Sequence, residues 1–187
     1  MKIVVLHPKE QELIVQAKAN NRLAQQAIYN KYAPKMLAIC RRYFKDVFLA
    51  EDVLLQAFLK VFVNITQYND QGSFEGWIRR IVVHECIDAH RKQIKQLEFV
   101  TIAEHDFITE ETELTHDAEQ ILLLVNDLPE GCKMIFNLFV IEGYKHHEIA
   151  TRLQISEGTS KSQLAYAKTY IQKALQQLKT NEHGTAR

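Results

Sequence analysis

The stretch His146-His-Glu-Ile-Ala-Thr-Arg-Leu-Gln-Ile-Ser-Glu-Gly-Thr-Ser-Lys-Ser-Gln-Leu-Ala-Tyr-Ala-Lys168 has the grammar of a helix-turn-helix. Its first part, His146–Leu153, is a compact amphipathic segment with Ile149, Ala150 and Leu153 on one side. Gln154-Ile155 reads as a tight turn, and Ser156 as the cap of a second helix running to about Leu178. Any corner between two helices shares that outline, so the content of the second helix matters more. Lys161, Ser162 and Gln163 stand on its leading exposed face without an apolar interruption, and Ala165, Tyr166 and Lys168 follow. A helix N-terminus meets phosphate favourably. Gln bonds adenine bidentately and Lys reaches guanine acceptors, each well-formed pair giving roughly 1–3 kcal/mol of discrimination. The blander alternative is a solvated surface helix.

Just upstream, Pro129 and Gly131 head a short helix carrying Met134, Ile135, Leu138 and Phe139, ended by Gly143. Ile121–Val125 begins another apolar segment before it. Residues 98–120 read as an acidic linker of weak order. Further back, Ser73 caps a long helix from Phe74 to about Lys95 that buries Phe74, Trp77, Ile78, Ile81 and Val82. Its other side collects Arg79, Arg80, His84, Asp88, Arg91 and Lys92. The run Tyr68-Asn-Asp-Gln-Gly-Ser73 before it is the clearest loop of the first half. Aromatic and basic groups together suit unpaired DNA, where stacking gives roughly 1–3 kcal/mol per base. Trp77, at helical spacing with Phe74 and Ile81, reads as core more readily than as a base platform, so the loop and the polar face are the preferred DNA contacts. Asp46 caps a helix that carries Leu49, Val53, Leu54, Ala57, Phe58, Val61 and Phe62 inward. Asn21 caps another, with Pro34 expected to kink or restart it.

The 187 residues fit one large domain or two small ones, and helical periodicity recurs on both sides of the acidic stretch. The expected fold class is therefore all-α: two small helical domains, residues 1–97 and 121–187, joined by a flexible acidic linker at 98–120, the second domain a helix-turn-helix. With only 6 Gly and 3 Pro, an all-β fold short of turns is excluded. At 47% hydrophobic residues the chain can bury a core. No apolar run reaches membrane-spanning length, and Ile3–Leu6 is too short for a signal peptide. Three scattered cysteines favour a reducing, cytoplasmic location over a disulfide scaffold.

The formal net charge of zero hides a segmentation. Residues 1–97 carry 15 basic and 9 acidic side chains, residues 98–130 carry 10 acids and no Lys or Arg, and residues 131–187 carry 8 basic and 4 acidic. Neutrality is thus a cancellation between two basic blocks and an acidic one, and a nucleic-acid partner is not excluded by it.

Three runs together resemble the sigma-70 family, in its small extracytoplasmic-function group. Ala50-Glu-Asp-Val-Leu-Leu-Gln-Ala-Phe-Leu-Lys60 is similar to the helix by which these factors dock on RNA polymerase. Phe74-Glu-Gly-Trp-Ile-Arg-Arg-Ile-Val-Val-His-Glu-Cys-Ile-Asp-Ala-His-Arg-Lys92 resembles their promoter-melting, minus-ten-reading helix. Leu128-Pro-Glu-Gly-Cys-Lys-Met-Ile-Phe-Asn-Leu-Phe-Val-Ile-Glu-Gly-Tyr-Lys-His-His-Glu-Ile-Ala150, continued by Ile155-Ser-Glu-Gly-Thr-Ser-Lys-Ser-Gln-Leu164, resembles their minus-thirty-five reader. The resemblance covers about residues 21–95 and 121–178, in the family's order.

The resemblance implies core RNA polymerase and promoter DNA as partners, an anti-sigma factor as a further one, no small-molecule substrate, no cofactor and no enzymatic activity. It places Glu51, Asp52, Gln56 and Lys60 toward polymerase. It places Arg79, Arg80, His84, Asp88, Arg91 and Lys92 toward the minus-ten element, with Tyr68–Ser73 receiving a flipped base. Lys161, Ser162 and Gln163 fall on the major-groove edge, flanked by Tyr166 and Lys168. The family usually has Asn where this chain has His84, and commonly Arg near Tyr166. An altered minus-ten preference and weaker backbone affinity upstream follow from those departures.

Rival chemistries have little support. Cys86 and His90 are one helical turn apart with His84 nearby, but a structural zinc takes about four ligands and no CxxC partner exists. His146-His147-Glu148 lacks the second His that a zincin needs. The competing class is a stand-alone helix-turn-helix regulator that never touches polymerase.

Overall fold

The computed structural model describes residues 10–97 and 118–184, and among them every regular element is helical. The chain divides into two compact units between Cys86 and Ile87, a boundary that lies inside a long helix. The linker expected at 98–120 lies outside the described residues except for its last three, which belong to a helix opening at Ala118.

The first unit is built on α1 (Glu10–Lys18), α2 (Arg22–Tyr43), α3 (Val47–Asn64) and the start of α4 (Phe74–Leu97). The helix starts follow from side-chain caps. Asn21 Oδ1 accepts from the amides of Leu23 and Ala24, Asp46 Oδ1 from those of Phe48 and Leu49, and Ser73 Oγ from Gly76. Each cap satisfies amides that a helix's first turn leaves without intrahelical partners. Pro34 neither ends nor restarts α2, which runs through it as one helix. α2 packs on α3, and the core they share in is apolar: Ile28, Met36 and Ile39 of α2 and Ala50, Leu54, Ala57 and Val61 of α3 are all buried. Cys40 of α2 and Cys86 of α4 are fully buried with sulfurs 4.0 Å apart. Trp77 and Ile81, expected in the core, are only half-buried, while Val83 and Cys86 are buried in their stead.

α1 extends the sequence expectation. Its Ile14 and Ala17 are buried against α2, and its carboxylate at Glu10 ties to Lys31 at 2.8 Å and to the Tyr32 hydroxyl.

The second unit contains α5 (Ala118–Asp127), α6 (Glu130–Phe136), α7 (His146–Leu153) and α8 (Glu157–Gly184). α8 is its spine, in contact with α5, α6 and α7. The helix opening at Glu130 widens at Asn137–Ile141 into a π-turn, closed by Glu142 N–H donating to the Asn137 carbonyl at 3.0 Å. Gly143 at φ +76° then reverses the chain into α7.

Candidate nucleic-acid and polymerase interface

The residues singled out from the sequence lie on three stretches: α3, α4 with its preceding loop, and α7–turn–α8. On α3, Glu51, Asp52 and Gln56 are exposed. At roughly 3.6 residues per turn they share a face with Phe48, Leu55, Leu59 and Val63. Those four apolar side chains are 83, 51, 60 and 79% exposed. Sequence reasoning had not singled out this exposed stripe. Its signal was present: α3 carries more apolar residues than one buried face accommodates. Lys60 lies at the edge of that face, and its ammonium bonds Glu85 of α4, a mostly buried carboxylate. Lys60 therefore joins α3 to α4 as well as bordering the exposed stripe.

The second face is α4 with its preceding loop. Arg80 and Lys92 are exposed, while Arg79, His84, Asp88 and Arg91 are half-buried. Arg91 pairs with Asp88 at 3.0 Å. The loop Asn69–Ser73 is exposed throughout, with Asp70 at φ +60° and Gly72 at φ +86°. Tyr68, at its head, is buried. Its ring lies 4.9 Å from Phe74 and 5.6 Å from Trp77, and Trp77 stacks on Phe74 at 5.7 Å. The Tyr68 hydroxyl donates to the Gly72 carbonyl at 2.8 Å, closing the loop on itself. Burial first, then Asp70 and Glu10, raise the phenol above its ordinary pKa, which keeps that donor protonated. Trp77 is thus committed to an aromatic cluster that supports the loop.

The third face is α7–turn–α8. Gln154 takes the left-handed conformation, φ 59° and ψ 42°, and its N–H donates to the Ala150 carbonyl. Ile155 N–H reaches the same carbonyl at 3.1 Å. Ser156 Oγ accepts from Thr159 N–H at 2.9 Å, so α8 starts where a cap was expected. Ser160 is fully buried and bonds His146 Nδ1 at 2.9 Å, locking α8 to α7.

Of the five residues expected on the major-groove edge, Lys161 is exposed and pairs with Glu157 at 2.8 Å, which holds that carboxyl below its usual pKa. Ser162 is half-buried and donates to the Thr159 carbonyl at 3.1 Å. Gln163 is half-buried with its amide against Gly131 of α6: a β-carbon there would meet Gln163 Oε1 at 2.9 Å. Tyr166 is half-buried, its ring 6.4 Å from that of Tyr170, and Lys168 is half-buried. Glu157 and Gly158 are exposed at the helix start beside Lys161, and sequence reasoning had passed over both.

Among the described residues no cluster of three or more His, Cys, Asp or Glu is arranged to hold a metal, and no helix is long and apolar enough to cross a membrane. Burial raises the Cys132 thiol to about 11, which leaves it protonated and unreactive.

Family comparisons fit both units. The sequence model of Sigma-70 region 2 matches residues 28–95, and that of Sigma-70 region 4 matches residues 118–171. This chain belongs to the sigma-70 family. Its curated relatives include factors named as belonging to the extracytoplasmic-function (ECF) group. The sigma-70 chain is 28% identical over 181 residues to the ECF RNA polymerase sigma factor SigW of Bacillus subtilis, covering 88% of this chain and 96% of the relative. It is 25% identical over 184 residues to the RNA polymerase sigma-H factor of Pseudomonas aeruginosa, covering 91% and 95%. Among solved structures, CnrH in complex with the cytosolic domain of CnrY matches with 16% identity and a TM-score of 0.48, over 89% of this chain and 97% of that one.

Proposed function

We propose that this sigma-70 family chain brings core RNA polymerase to a set of promoters and opens them, by binding and without bond chemistry, in the cytoplasm. Residues 1–97 dock on polymerase through the α3 face of Glu51, Asp52, Gln56, Leu55, Leu59 and Val63. They capture an unpaired minus-ten base with the Asn69–Ser73 loop and the Arg80-bearing side of α4. Flipping a base costs a few kcal/mol. Cationic contacts and the loop's exposed amides and carboxamides offset that cost. Residues 121–187 read the upstream element as duplex with the leading turns of α8. Residues 98–120 act as a tether, and family membership supports an anti-sigma partner that holds the chain off polymerase.

The observation that carries this reading is the ordered match to both sigma-70 regions. The exposed apolar stripe on α3 supports the docking half of it. At the upstream element, Lys161 gives up a solvent-screened surface ion pair with Glu157 for a phosphate or base edge, a small barrier. The test is transcription in vitro with core polymerase on a genomic fragment library. Defined start sites dependent on the chain are expected. A chain that binds duplex yet neither joins core polymerase nor yields promoter-dependent transcripts is a stand-alone regulator, and the sigma reading then fails.

A further inference from the structure

The loop proposed to receive the minus-ten base is held from outside by a residue of another helix. Tyr68 is pinned at two points. Its hydroxyl donates across the loop to the Gly72 carbonyl, and its own carbonyl accepts a hydrogen bond from Lys18 Nζ at 2.6 Å. The same ammonium lies 5.7 Å from the Tyr68 ring centroid, within range of a cation–π contact. Lys18 sits in the last turn of α1, where the helix's own carbonyls favour a cation. α1 itself is anchored independently of Lys18: Ile14 and Ala17 are buried, Glu10 is bound to Lys31 and Tyr32, and the helix touches the Ile65–Gln67 turn. Lys18 is therefore a half-exposed strut from a fixed helix to the first peptide of the loop.

That peptide leads directly into Asn69 and Asp70, the exposed side chains at the loop's tip. Asp70 holds a left-handed backbone conformation, which for a residue other than glycine persists only where its surroundings enforce it. The phenol contact fixes how far apart the loop's ends lie. The Lys18 contact fixes the rotation of the Tyr68–Asn69 peptide, and hence the direction in which Asn69 and Asp70 are presented.

We propose that Lys18 is a positioning residue for base selection: by orienting the Tyr68–Asn69 peptide, it sets how sharply the loop discriminates among unpaired minus-ten bases. The proposal rests on the reading of Asn69–Ser73 as the base-receiving loop.

The test uses holoenzyme assembled from core polymerase and the full chain. The probes are single-stranded oligonucleotides carrying the non-template minus-ten region of a promoter recovered from the genomic library, with each of the four bases at each position. Lys18→Met should reduce the ratio between preferred and disfavoured bases roughly tenfold, the effect expected for one charge-assisted hydrogen bond lost. Affinity for core polymerase and thermal stability should stay at the wild-type level. Lys18→Arg, which restores a cationic donor, should recover most of the discrimination. Unchanged base ratios in Lys18→Met overturn the proposal. So does a loss of discrimination that accompanies a lowered melting temperature and that Arg fails to rescue, since Lys18 would then be scaffold only. A double Asn69→Ala, Asp70→Ala variant separates the two layers. If it leaves base preference untouched, the loop reading is wrong and the role of Lys18 falls with it; if it alters preference while Lys18→Met does not, only the Lys18 proposal fails.

Discussion

His146 opens α7 and is where the two helices of the helix-turn-helix meet. Its ring stacks on Phe139 at 4.5 Å, its Nδ1 bonds the buried hydroxyl of Ser160, and Lys161 and Lys168 lie near enough to repel a proton. Desolvation first, then those two lysines, lower its pKa below 6.5, with Glu157 opposing them. Because the folded pKa is depressed, the unfolded chain takes up the proton more readily once pH falls below 6.5. Stability should therefore decline from about pH 6.5 down to the folded pKa and change no further from this group below it. His146→Gln, which keeps a hydrogen-bonding group, should flatten that part of the profile in denaturant titrations across pH 5–8. An identical slope in the variant would assign the pH dependence elsewhere. At this scale the caps were legible, since Asn21, Asp46, Ser73 and Ser156 each act on amides a few residues away. The direction of Gln163 was not: it depends on the absence of a side chain at Gly131, on a different helix.

Helix α3 carries the clearest conflict between burial and composition. Ala50, Val53, Leu54, Ala57, Phe58 and Val61 fill the core, and the sequence pattern assigned all but Ala50 there correctly. Phe48, Leu55, Leu59 and Val63 remain in solvent. Periodicity identified the buried face, but it could not say that a second apolar face would find no partner inside the unit. For a free monomer that exposure is unfavourable, and the proposed docking on polymerase would give it a partner. Leu59→Gln and Val63→Gln should each change folding stability by no more than about 0.5 kcal/mol, as for surface sites generally. Burying such a side chain contributes roughly 1.5–3 kcal/mol. The affinity for core polymerase should accordingly fall about tenfold or more in competition against the wild-type chain. Val15→Gln, at a comparably exposed apolar position on α1, should leave it unchanged. Equal affinities for Leu59→Gln and wild type would remove α3 as the docking face. α1 and the π-turn at Asn137–Ile141 escaped sequence reading for a different reason. α1 is short, with Val15 exposed among its apolar residues, and the π-turn adds a residue to a helical repeat without changing its composition.

For the whole molecule, the zero net charge bears on when DNA is bound. Seven acids stand at Glu98, Glu104, Asp106, Glu110, Glu111, Glu113 and Asp117, between two blocks with excess Lys and Arg. A tethered polyanion competes with duplex for cationic side chains at an effective concentration set by its length, without needing a fixed position. The free chain should then bind DNA weakly and with a shallow salt dependence, since DNA displaces the tether in place of counterions. Replacing the seven acids by Gln or Asn takes the formal charge from 0 to +7. It should both tighten binding of the isolated chain to duplex and steepen the fall of log K with log salt, because counterions must now be released. Anisotropy titrations of a labelled duplex across a KCl series read both quantities. A chain with the same seven acids in scrambled order should behave as wild type, since only charge and proximity enter. If the neutralised chain binds more tightly with an unchanged salt slope, added charge alone explains the gain. If neither quantity moves, the acidic segment does not guard the basic faces, and binding before polymerase arrives is limited by some other feature of the chain.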